Sequence, residues 1–133
     1  GYTGNPALFP LFAPRLPQDV LIVNINPLRR EEVPKDTQAI QNRINEISFN
    51  TSLLRELRAI DFVKRLIGAG TMKDVPVHMI ADDDLNGATK TVPSPVLLNR
   101  LRDAERAAAD RFLAAHRADL NVRATVGLDA MFN

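Results

Sequence analysis

The stretch Asp19-Val20-Leu21-Ile22-Val23-Asn24-Ile25-Asn26-Pro27 constrains this chain more than any other part of it. Its centre is apolar at nearly every position and rich in β-branched side chains, which favour extended backbone. A strand with one wet face alternates apolar and polar residues, and this one does not. It therefore predicts a strand covered on both faces, the kind found inside parallel sheets, with Pro27 ending it. One other strand candidate exists, Val75 to Ala81, apolar except for His78. Two strands make a poor sheet by themselves, so the first asks for neighbours that this sequence barely supplies.

Between the two strands the apolar period changes from near-continuous to helical. Ile40, Ile44, Ile47, Leu54, Leu57, Ile60, Val63 (or Lys64) and Ile67 recur at three- and four-residue steps, and core packing is the common use of such a stripe. Asp36 or Thr37 can cap the start, and Gly68 or Gly70 the end. The polar run Ser48 to Ser52 is the place for a bend or a break. Ser94-Pro95 repeats the cap-plus-proline signal and opens a second long helix, with Leu97, Leu101, Ala104, Ala108, Phe112 and Ala115 on one face. Asn5-Pro6 is a weaker start of the same kind, and Pro10 and Pro14 limit it to short turns. The tail ends on Met131-Phe132, expected to dock on the body. The expected fold class is α/β: strands at about 19–26 and 75–81, long helices at about 37–67 and 95–118.

Composition excludes several functions. With 17 Lys+Arg against 16 Asp+Glu there is no basic footprint for nucleic acid. No apolar run reaches the roughly 20 residues that span a bilayer. The chain has no cysteine, which removes disulfides, thiolate metal sites and thiol nucleophiles and fits a reducing compartment. The serines Ser48, Ser52 and Ser94 lack the glycines of a G-x-S-x-G nucleophile elbow. Asp82, Asp84, Asn86 and Gly87 match positions one, three, five and six of a calcium loop. Its twelfth position, however, is Pro93 rather than Glu, and its ninth is Lys90. His78 and His116 have no second metal ligand at helical spacing, so structural roles are expected for both.

The segment Asn42-Arg43-Ile44-Asn45-Glu46-Ile47-Ser48-Phe49-Asn50-Thr51-Ser52-Leu53-Leu54-Arg55-Glu56-Leu57-Arg58-Ala59-Ile60 resembles one that follows the catalytic core of bacterial patatin-like phospholipases. The opening Gly1-Tyr2-Thr3-Gly4-Asn5-Pro6-Ala7 is similar to that family's continuation of its Asp-Gly-Gly or Asp-Gly-Ala motif. Asn24-Ile25-Asn26-Pro27, Arg106-Ala107-Ala108-Ala109-Asp110 and Val122-Arg123-Ala124-Thr125-Val126 extend the likeness over nearly the whole chain. The resemblance implies the C-terminal part of a three-layer patatin-like fold. Residues 1–35 would end the hydrolase core and residues 36–133 form a helical extension. It implies a serine–aspartate dyad whose members lie upstream, so no catalytic residue falls in this chain. Gly1, Tyr2, Gly4 and Asn5 would support the aspartate loop.

The start of the chain, without initiator Met or signal-type segment, is expected to be interior sequence of a longer protein. The dyad requires no metal or cofactor. The implied partners are a lipid or ester substrate and the N-terminal part of the same protein, with no nucleic acid. A cytoplasmic protein meeting membranes at most peripherally is expected. Loop Leu28 to Lys35 and Leu53, Leu54 and Leu57 could border an acyl-chain groove. The alternative is a non-catalytic helical interaction or regulatory module.

Overall fold

A computed structural model of the chain describes residues 6–66, 73–81 and 94–132. After a 3₁₀ turn at Phe9–Phe12 come strand β1 (Val20–Asn24), helix α1 (Thr37–Leu66), strand β2 (Val77–Ala81), helix α2 (Pro95–His116) and the short helix α3 (Leu128–Phe132). β1 and β2 pair in parallel, Val20 opposite Val77 and Asn24 opposite Ala81. Parallel neighbours need a crossover connection, and α1 supplies it. The α/β class expected from the sequence is observed, and each element lies within two residues of its expected bounds.

Local chemistry accounts for the ends. The Ala39 amide donates to Asp36 Oδ1 at 2.8 Å, so Asp36 caps α1, which then runs unbroken through Ser48–Ser52. Ser94 caps α2 by accepting from the Leu97 amide at 3.2 Å, with Pro95 in the first turn. Each cap satisfies one of the amides that a helix start leaves unpaired, which stabilises by about 1 kcal/mol.

Alternation along a strand puts neighbouring side chains on opposite faces, and each face of this sheet meets a different helix. On one face Val20, Ile22 and Val77 pack with Leu53, Leu57 and Ile60 of α1, closed by Leu8, Val75 and Leu128. On the other, the ring of His78 meets Phe112 of α2 edge-on, centroids 6.3 Å apart. α3 returns the tail to the body: Phe132 packs against the core, and the Arg58 guanidinium lies over its ring, 5.1 Å from the centroid. Met131 stays outside.

Two expectations are corrected. β1 is covered on one face only: Val20 and Ile22 are buried, while Leu21, Val23 and Ile25 are 47%, 66% and 60% exposed. α2 reaches β2 but not the far side of β1, and among the described residues β2 is the only strand beside it. Helix α1 is turned relative to its apolar stripe. Ile40, Ile44 and Ile47 are exposed, and the buried positions are Glu46, Asn50, Leu53, Leu57, Ile60 and Asp61. The N-terminal half of α1 thus buries polar side chains and leaves isoleucines outside.

Candidate functional site

The reason lies in the loop after β1. Glu46 is 1% exposed and receives Arg30 through two bonds, Nε to Oε2 at 3.0 Å and the terminal nitrogen to Oε1 at 2.5 Å. Arg43 adds a bond to Oε2 at 3.2 Å and donates to the carbonyls of Pro27 and Leu28, each at 3.3 Å. Asn50 Nδ2 donates to the same Pro27 carbonyl at 2.9 Å. The loop carbonyls past Pro27 have no strand partner here, and a buried carbonyl without a donor is costly. Arg43 and Asn50 donate to them, and Glu46 accepts from Arg30 and Arg43 and holds both guanidinium groups at the loop, so the polar face of α1 turns inward.

A second buried polar cluster joins β1, β2 and the tail. His78 is fully buried; its Nε2 lies 3.1 Å from Asp19 Oδ2 and its Nδ1 3.1 Å from Thr125 Oγ1. The Asn121 amide also donates to Asp19 Oδ2. Asn121 has φ of 59°, a left-handed conformation that asparagine tolerates better than most residues. Asp19 Oδ1 is buried and finds no donor among the described residues. A neutral ring that gives its Nε2 proton to Asp19 accepts the Thr125 hydroxyl at Nδ1.

That order, hydroxyl to imidazole to carboxylate, is the order of an acyl-transfer triad, but the surroundings do not support such chemistry. The ring has no exposure to substrate. The amides of Thr125 and Val126, the nearest candidates for stabilising an oxyanion, both donate to the Val77 carbonyl at 3.1 Å. The cluster instead clamps residues 121–126 to the sheet. Sequence reading gave His78 a structural role but missed its partners, 59 and 47 residues away in sequence. The one signal was a lone histidine in an apolar strand, which needs hydrogen-bond partners if buried.

The remaining candidates fall as follows. Gly1, Tyr2, Gly4 and Asn5, like the acidic turn Asp82 to Gly87, lie outside the described residues. Ser48 donates to the Ile44 carbonyl at 2.8 Å, and Ser94 is the α2 cap. Among the described residues no cluster of three or more His, Asp or Glu side chains could hold a metal ion, and no helix is long and apolar enough to cross a membrane. A groove of about 340 Å³ runs along the open edge of β1, bordered by Ala7, Leu11, Val23, Ile25, Phe49 and Leu53. Leu57 is sealed in the core, away from any groove.

At the end of α2, His116 Nδ1 lies 3.1 Å from Asp119 Oδ2, and Arg123 Nε donates to Asp119 Oδ1 at 2.7 Å. The His116 hydrogen bond holds the Asp119 carboxyl below its ordinary value of 3.8; desolvation opposes it, and Arg123 adds to the lowering. A carboxyl depressed by folding stabilises above its unfolded pKa, and that contribution fades as pH falls through the folded one. Acidification below about pH 4 is therefore expected to loosen the turn after α2. Amide exchange at Val122 and Arg123, which both donate to the Asp119 carbonyl, reads it. The same loss of protection persisting in an Asp119→Asn chain across that range would refute the linkage.

No protein-family model, curated protein or solved structure matches the chain.

Proposed function

We propose that this chain is the C-terminal part of a patatin-like lipid acyl hydrolase, and that it carries the support of the active site rather than its reacting groups. The observation that carries the reading is β1. It is a parallel strand with apolar residues on an uncovered face and no partner on its outer edge among the described residues, a form suited to the interior of a larger sheet. The resemblance names that sheet, the hydrolase core upstream. Leu8 adds to the case: it is 3% exposed and packed with Val20, Ile22, Leu53 and Leu57. It would anchor the segment that leaves the aspartate loop.

In the intact protein the upstream aspartate takes the proton of the serine hydroxyl as its oxygen attacks the ester carbonyl. The alcohol leaves, an acyl-enzyme remains, and water releases the fatty acid. The groove along β1 would be narrowed or filled by the adjoining strand.

The test begins with the residues encoded before Gly1, where Asp-Gly is expected, with G-x-S-x-G further upstream. The intact protein should hydrolyse p-nitrophenyl acyl esters, and replacing the elbow serine by alanine should abolish turnover. The chain alone should be inactive, because it lacks both members of the dyad. Turnover by the chain alone, or an intact protein without the two motifs, overturns the reading.

A further inference from the structure

The isoleucines on the outer face of α1 have a use that neither the core nor the proposed activity provides. Ile40, Ile44 and Ile47 are 45%, 50% and 52% exposed, and Thr51 and Leu54 continue the line. The steps are four, three, four and three residues, the spacing of a helix-to-helix seam. No exposed residue from Thr37 to Thr51 carries a charge, since Arg43 and Glu46 turn inward. The hydroxyls of Ser48 and Thr51 bond back to the carbonyls of Ile44 and Ile47, at 2.8 and 2.7 Å. Their outward surface is correspondingly less polar. Exposed apolar side chains gathered in one line, rather than scattered singly, are the feature that marks contact surfaces.

We infer that this face of α1 pairs with the same face of a second copy of the chain, the helices antiparallel. Residues that extend the sheet at β1 would not cover it, because α1 meets the sheet with Leu53, Leu57 and Ile60 and the stripe points away. Charge selects the direction. Beyond the neutral stretch, the outer face carries the exposed Arg55 and Arg58, while Asp36 stands at the start of the helix and Glu31 and Glu32 precede it. Parallel pairing sets arginine beside arginine. An antiparallel pair centred between Ile44 and Ile47 puts Ile40 opposite Thr51. At 1.5 Å per residue, Arg55 then stands level with Asp36 of the second copy, about 14 Å from the centre. The contact is self-complementary, as a twofold dimer requires. The seam is short, so the dimer is a weak one, with Kd on the order of 1–100 μM.

Sedimentation equilibrium of the purified chain over that range should show a reversible dimer. Ile44→Glu, at an exposed position that leaves the fold and its far-UV dichroism intact, should weaken it at least about tenfold, by placing two like charges in the seam. Ile44→Gln gives the same reading without an added charge if the first variant misfolds. Arg55→Glu should weaken the dimer, and Asp36→Asn in the same chain, which keeps a capping side chain and removes the new repulsion, should restore part of it. A strictly monomeric chain, a dimer indifferent to Ile44, or one strengthened by Arg55→Glu alone overturns the inference. The hydrolase reading is untouched by any of these outcomes.

Discussion

Replacing Leu57 by alanine should lower the unfolding free energy of the chain by about 3–5 kcal/mol, the largest loss expected from any single truncation. Leu57 has no exposure and sits in the cluster where α1 meets Val20, Ile22 and Val77. Truncation removes three carbon atoms from that packing and leaves a void. α1 cannot collapse into the void without drawing Leu53 and Ile60 off their own contacts. A small domain is stable by only about 5–15 kcal/mol, so the loss is a large part of the total. Ile47→Ala, on the outer face of the same helix, should cost less than about 1 kcal/mol in the monomer. The pair measures which face of α1 is the core. Equal losses in urea unfolding would mean that the helix is turned towards its isoleucine stripe after all.

The second large effect is expected at His78. His78→Ala removes a fully buried ring together with both of its hydrogen bonds. The void and the stranded Asp19 carboxylate together should cost about 3 kcal/mol. Oδ1 of Asp19 has no donor among the described residues even in the intact clamp, so the variant leaves the carboxylate with the Asn121 amide. The effect has a local signature. Amide exchange at Thr125 and Val126, both bonded to the Val77 carbonyl, should speed up more than exchange in the N-terminal half of α1. Thr125→Val removes one bond at nearly constant volume and should cost only about 1 kcal/mol. If Thr125→Val cost as much as His78→Ala, the histidine would not be the centre of the clamp. If neither affected exchange at residues 125 and 126, the clamp would not hold the tail.

The polar clusters show where sequence reading stops. Glu46 and Asn50 sit in a run that looks like a helix surface, and nothing local says that they turn inward. What decides it is the loop past Pro27, whose carbonyls need donors, and Arg30, which needs an acceptor 16 residues along the chain. Local periodicity puts Ile40, Ile44 and Ile47 on one face. It cannot say whether that face or the one carrying Glu46 meets the sheet, because α1 is apolar in part on both sides. The clamp is harder still to foresee, since its three residues come from the start of β1, from β2 and from the tail.

The near-continuous apolarity of Val20 to Ile25 was the starting constraint. It marked the segment as a strand, and the long helix between it and the second strand pointed to a parallel pair. The two helices, the Ser94 cap and a cap at Asp36 or Thr37 were equally legible, because each depends on residues a few positions apart; the structure selects Asp36. Only the tertiary structure decided how the strand is covered. α1 closes one face, α2 reaches only as far as β2, and Leu21, Val23 and Ile25 are left in the open. An apolar pattern records that a surface has low affinity for water. Which partner covers it depends on what else is within reach, and that is a property of the whole assembly.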